Sequence, residues 1–157
     1  MFKIITIHCI PNFGSILQTY ALAKFIKDSG RQVEVIDYRP PYFFKGRNIL
    51  RKIYPIICYP IPYFRQIHKV RTFCSRNIPL TYSTYHSIEE LKTIESDKNI
   101  FISGGDQLWN SFHPCGRDDV YKLTFVHGQP KLAIGTSMER NSFSEDELKN
   151  LAEKMSM

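Results

Sequence analysis

Between Arg39 and Arg76 the chain has no acidic side chain, against nine lysines and arginines. The full 157 residues hold 21 basic and 15 acidic groups, a net charge of +6. The remainder is therefore mildly acidic, and any electrostatic argument about partners belongs to that one window. Cysteine is also scarce. Cys9, Cys58, Cys74 and Cys115 form no CxxC pair and no Cys/His cluster with zinc spacing, so no metal site is expected and the chain fits a reducing cytoplasm. Long hydrophobic runs are missing. The uncharged stretch Ile53–Phe64 holds three prolines and is too short to cross a bilayer. Phe2–Ile10 lacks a charged leader and a small-residue cleavage site, so it reads as a buried strand rather than a signal peptide. There is no GxGxxG, no P-loop, no GxSxG elbow and no HExxH, which removes the nicotinamide, nucleotide-triphosphate, serine-hydrolase and zinc-protease readings.

What is present has the order of an α/β fold. With 43% apolar residues the chain can bury one domain-sized core. Lys3–His8 predicts a buried parallel strand and Pro11–Gly14 a turn. Ser15–Ser29 predicts a helix with a broad apolar face through Ile16, Leu17, Tyr20, Phe25 and Ile26, stopped by Gly30. Gln32–Tyr38 is a second strand, ended by Arg39-Pro40-Pro41. Residues 41–80 read as a surface insertion with helix at Arg65–Phe73. Ser87–Ile94 is a short capped helix, Asn99–Ser103 a third strand and Lys131–Ser137 a fourth. Residues 108–130 hold little regular structure beyond a helical turn near Val120–Phe125. Ser144 and Glu147 form a capping box for a closing helix over Glu145–Lys154. The expected fold is a Rossmann-like, doubly wound and mainly parallel sheet, which binds ligands at the carboxyl ends of its strands.

Three loops fall at those ends, and the unusual polar residues cluster in them. In Cys9–Gly14, Asn12 suits a turn and Gly14 a close backbone approach. The amides of Gly14, Ser15, Ile16 and Leu17 would favour an anion, unless they form an ordinary capped helix start. Gln18, one turn on, has either a structural partner in a neighbouring loop or a sugar hydroxyl. Asp37 suits a ribose diol or a local ion pair with Arg39. The loop Gly104–Asn110 concentrates Gly105, Asp106, Gln107 and Trp109. Asp106 and Gln107 suit paired hydrogen bonds to sugar hydroxyls. Trp109 offers a flat face to a sugar ring, or anchors a core. In the loop Ser137–Asn141, Ser137 could donate to a phosphate. The five histidines have no partner by spacing; His8, at a strand end, is the least bland. The basic, aromatic window has three readings: membrane-surface contact through residues 39–76, nucleic-acid binding for which no recognition module is present, or an insertion with solvated charges.

Four stretches carry a specific resemblance. Asn12-Phe13-Gly14-Ser15-Ile16-Leu17-Gln18-Thr19-Tyr20-Ala21-Leu22, Val33–Pro40, Gly105-Asp106-Gln107-Leu108-Trp109-Asn110 and Lys131–Ser137 resemble, in order, the opening motif, second strand, Asp-Gln-x-Trp-Asn loop and later strand of the polysaccharide pyruvyl transferase family. Gly104-Gly105, Ile134 and Met138-Glu139 depart from its usual pattern. The resemblance implies one half of a two-domain, glycosyltransferase-B-like enzyme, with the C-terminal domain absent, so that the chain is expected to be a truncated half, inactive alone, or one part of a split enzyme. It implies transfer of the pyruvyl group of phosphoenolpyruvate to a sugar of an exopolysaccharide, capsule or cell-wall glycan. The acceptor would be a glycan or lipid-linked oligosaccharide, at the inner membrane face, with no further cofactor. By resemblance Asn12, Gly14, Gln18, Asp106, Gln107 and Trp109 line the cleft, with Asp106 the base. The alternatives are a non-catalytic glycan or sugar-nucleotide binding domain and a glycosyltransferase fragment.

Overall fold

The computed structural model describes residues 1–44, 54, 56–94, 98–138 and 143–156. Strands β1 (Phe2–Ile5), β2 (Val33–Tyr38), β3 (Leu80–Tyr85), β4 (Ile100–Gly104) and β5 (Lys131–Ile134) form one sheet in the order β3-β2-β1-β4-β5. Every pairing is parallel. Helices α1 (Phe13–Asp28), α2 (Pro60–Asn77), α3 (Ile88–Leu91) and α4 (Glu145–Ser156) connect or flank the strands. The expected wound α/β sheet is thus the fold.

Two crossovers through α1 and α2 build the sheet outward from β1 to β3. The chain then returns across the sheet and lays β4 on the other side of β1. Phe2, Lys3 and Ile4 of β1 pair on both sides, Ile4 lying beside Val35 and Ile102. Alternation divides the core. Ile4, Val35 and Ile102 pack under Ile16, Ala23 and Ile26 of α1 and Val70 of α2. Ile5, Ile36 and Phe101 face the opposite side, where Leu91 of α3 and the loop residues Leu108, Val120 and Tyr121 cover them. Burying each such side chain stabilises the fold by about 1.5–3 kcal/mol.

The structure corrects four expectations. Residues 41–80 are not simply a surface insertion. Helix α2 is the crossover to β3, a strand that sequence reading misses because its pattern is weak: none of Leu80–Tyr85 is fully buried and Tyr82 is wholly exposed. β3 is recognised by backbone pairing, with the Val35 amide donating to the Pro79 carbonyl and the Arg39 amide to that of Tyr85. Helix α2 also begins earlier than Arg65, because Pro60 at its first position has its φ preset and no amide to leave unsatisfied. The apolar face of α1 is narrower than expected. Ile16, Thr19, Ala23 and Ile26 are buried, while Leu17 and Phe25 are 53% and 73% exposed. The first and last strands are shorter than their apolar runs, ending at Ile5 and Ile134.

Ile36→Ala should lower unfolding stability in denaturant by about 2–5 kcal/mol, since it opens a cavity in a closed core. Tyr82→Ala should stay within about 0.5 kcal/mol.

Candidate functional site

Strand order reverses between β1 and β4, so the loops leaving their carboxyl ends diverge and leave a crevice. A cavity of about 390 Å³ lies there. Asn12, Gly14, Ser15 and Gln18 line it from the loop after β1 and the start of α1; Asp106 and Gln107 line it from the loop after β4. Asn12 and Asp106, 94 positions apart in the chain, share one wall system, and both are exposed.

The first loop is a helix cap. The Asn12 side-chain oxygen accepts from the amides of Gly14 at 2.9 Å and Ser15 at 3.4 Å, and its carbonyl accepts from Ile16. These three amides are already engaged, so the expected anion seat is filled by the chain itself. Gln18 is exposed rather than buried, and its Oε1 accepts from the Asp106 amide at 3.4 Å. The third loop closes the chain of contacts. Ser137 donates to Asp106 Oδ1 at 2.8 Å and accepts from the Gln107 amide at 3.3 Å. The Trp109 amide donates to the Ser137 carbonyl at 3.3 Å. Ser137 therefore stands behind Asp106 as its support; residues 139–141 of that loop lie outside the described residues. Gly105 adopts φ +134°, a conformation side chains avoid, which turns the chain sharply after β4. Gln107 follows at φ +56°, a left-handed strain carried at the crevice.

Trp109 is placed elsewhere. Its indole N–H donates to the Tyr121 carbonyl at 2.9 Å, it packs against the core of Leu108 and Tyr121, and it borders a separate groove beside α4. Sequence reading misses Phe43, His113 and Cys115, which complete the crevice wall. His113 arrives on a loop folded back on itself: a Cβ at Gly116 would lie 2.0 Å from the Asn110 carbonyl oxygen. No spacing rule reports such a return, though Pro114-Cys115-Gly116 marks a turn.

Asp37 is occupied. Its buried carboxylate accepts from Arg39 Nε at 2.8 Å and Thr84 Oγ1 at 2.7 Å, and lies 2.8 Å from His8 Nε2. Burial alone would raise this carboxyl's pKa, but the hydrogen bonds from His8, Arg39 and Thr84 outweigh it and hold it well below the usual carboxylate range. Arg39 makes the local ion pair, and the buried His8 joins it. Among the described residues no group of His, Cys, Asp and Glu is arranged to hold a metal.

The model of the polysaccharide pyruvyl transferase family matches residues 12–156. The chain belongs to the polysaccharide pyruvyl transferase family. The match spans both crevice loops of the chain, from Asn12 through Asp106 to α4. No curated protein and no solved structure matches the chain.

Gln107→Gly should raise stability in chemical denaturation by about 1 kcal/mol, by releasing a left-handed backbone. The Asp37 carboxylate adds stability that is complete above the unfolded-state value near pH 4 and is lost as pH falls below it. Asp37→Asn should therefore destabilise most at neutral pH, and the gap to the native chain should shrink in denaturation curves taken below about pH 4.

Proposed function

We propose that the crevice is the acceptor side of a transferase that moves the pyruvyl group of phosphoenolpyruvate onto two hydroxyls of one sugar, forming a cyclic ketal and releasing phosphate. The single observation behind this reading is the chemistry of the crevice wall. Among the described residues it offers amides at Asn12, Gln18 and Gln107, a carboxylate at Asp106 and the imidazole of His113, and no lysine or arginine. Such a wall suits neutral hydroxyls. A donor bearing a phosphate and a carboxylate calls for lysine or arginine cations, which the described part of this wall does not supply. The cations for phosphoenolpyruvate are assigned to a second, C-terminal domain of a glycosyltransferase-B-like pair, within a longer protein or on a separate chain.

The chemistry needs a proton delivered to the donor methylene carbon. It also needs a base that takes the proton of an attacking hydroxyl as its oxygen bonds to the central carbon. The carbon–oxygen bond to phosphate then breaks, and the second hydroxyl closes the ring as its proton passes to the departing phosphate. Asp106 is the base in this scheme, exposed to the crevice and steadied by the Ser137 hydroxyl. Asn12, Gly14, Ser15, Gln18, Gly105 and Gln107 shape the acceptor seat. Trp109 and Ser137 act from behind the wall, as positioning residues. The products would be exopolysaccharide, capsule or cell-wall glycan.

The reading is tested by supplying the chain with its second domain, phosphoenolpyruvate and candidate glycans, and following ketal formation by NMR together with phosphate release. Asp106→Asn should lower kcat about a hundred- to ten-thousand-fold. Ser137→Ala should lower it less and shift its pH profile. Tight binding of a nucleotide sugar in calorimetry, with no ketal formed, would replace this reading with the glycosyltransferase or sugar-nucleotide binding one.

A further inference from the structure

Among the described residues, helix α2 is anchored chiefly through its second half. Val70 is its only fully buried residue, and Phe73 meets Tyr20 of α1 edge-on with ring centres 5.3 Å apart. The last turns of the two helices lie together: Lys27 and Asp28 share one cavity with Asn77 and Ile78. The helices therefore run parallel, and both start at the carboxyl rim of the sheet, where the crevice opens. Helix α1 begins seven residues before Tyr20, and α2 thirteen residues before Phe73. Helix α2 thus overshoots by about six residues, roughly 9 Å at 1.5 Å per residue.

The overshooting end is apolar and uncovered. Ile61 and Phe64 in its first turns are 70% and 56% exposed, and Ile57 and Tyr59 just ahead of the helix are 70% and 59% exposed. Arg65 and Lys69 follow within two turns, with Arg71 and Arg76 further back, all exposed. The helix contains no acidic residue, and none of these cations has an ion-pair partner among the described residues. Among the described residues no helix is long and apolar enough to cross a membrane. An apolar tip with a cationic collar matches the layers of an anionic bilayer, whose acyl boundary takes the tip while its headgroups take the cations. A second copy of the chain would bring the same cations and no acid on this helix, so charge opposes self-association through it.

We propose that the first half of α2 is a docking surface for an anionic lipid bilayer, which turns the crevice rim toward that bilayer. The surface does not depend on pyruvyl transfer, so lipid binding tests it separately.

The experiment is co-sedimentation of the full chain with vesicles of phosphatidylcholine alone and of phosphatidylcholine mixed with phosphatidylglycerol. Binding is expected only to the mixed vesicles and should weaken as salt rises. Arg65→Ala with Lys69→Ala should lower the partition coefficient about 25-fold, at about fivefold per cation. Ile61→Ser with Phe64→Ser should lower it at least about tenfold by removing apolar burial. All four positions are exposed, and circular dichroism checks that the variants fold. Equal binding to both vesicle types, no binding to either, or no loss in both variants overturns the proposal. So does a dimer in sedimentation velocity that Ile61→Ser dissociates, which would assign the face to a second copy.

Discussion

Strand β1 pairs with β2 on one side and β4 on the other, and the rest of the molecule is arranged around that double pairing. Four residues, Phe2–Ile5, support it. They are apolar except for Lys3, whose ammonium pairs with Glu34 on the neighbouring strand. Because β4 returns beside β1 instead of continuing past β3, α1 and α2 lie on one face while α3 and the loop after β4 lie on the other. The crevice exists because those two halves leave the sheet in opposite directions.

The loops that edge the crevice are tied to one another. Gln18 on α1 accepts from the Asp106 amide, and Ser137 after β5 braces the Asp106 carboxylate. The chain of bonds crosses from β1 through β4 to the far edge of the sheet. A carboxylate held this way has one oriented oxygen engaged, and the residue stays exposed at the crevice. By contrast, Asp37 is held by His8, Arg39 and Thr84 and is closed to solvent, so its charge serves folding.

Regular elements with strong local signals were legible. Asn12 as a cap, the strand Val33–Tyr38 and the Ser144 capping box all follow from short-range chemistry, and Glu147 does bond back to the Ser144 amide. Strand β3 was not legible, because an edge strand is stabilised by backbone pairing that leaves little mark on its side chains. His113 and Cys115 were hidden in the wall for a similar reason: a loop that folds back has no period to read. The position of Trp109 was decided by the Tyr121 carbonyl, a partner 12 residues away that no motif records.

The sequence by itself determined the class of fold, the order of most of its elements and the family, because apolar periodicity, caps and motif spacing are properties of neighbours along the chain. Tertiary structure decided which polar residues face the same space. Asn12, Gln18 and Asp106 share a wall, whereas Trp109 looks away and Asp37 is sealed. Those outcomes depend on where a crossover lands and which carbonyl is nearest. Such facts arise only when distant segments compete for the same hydrogen bonds and the same buried volume.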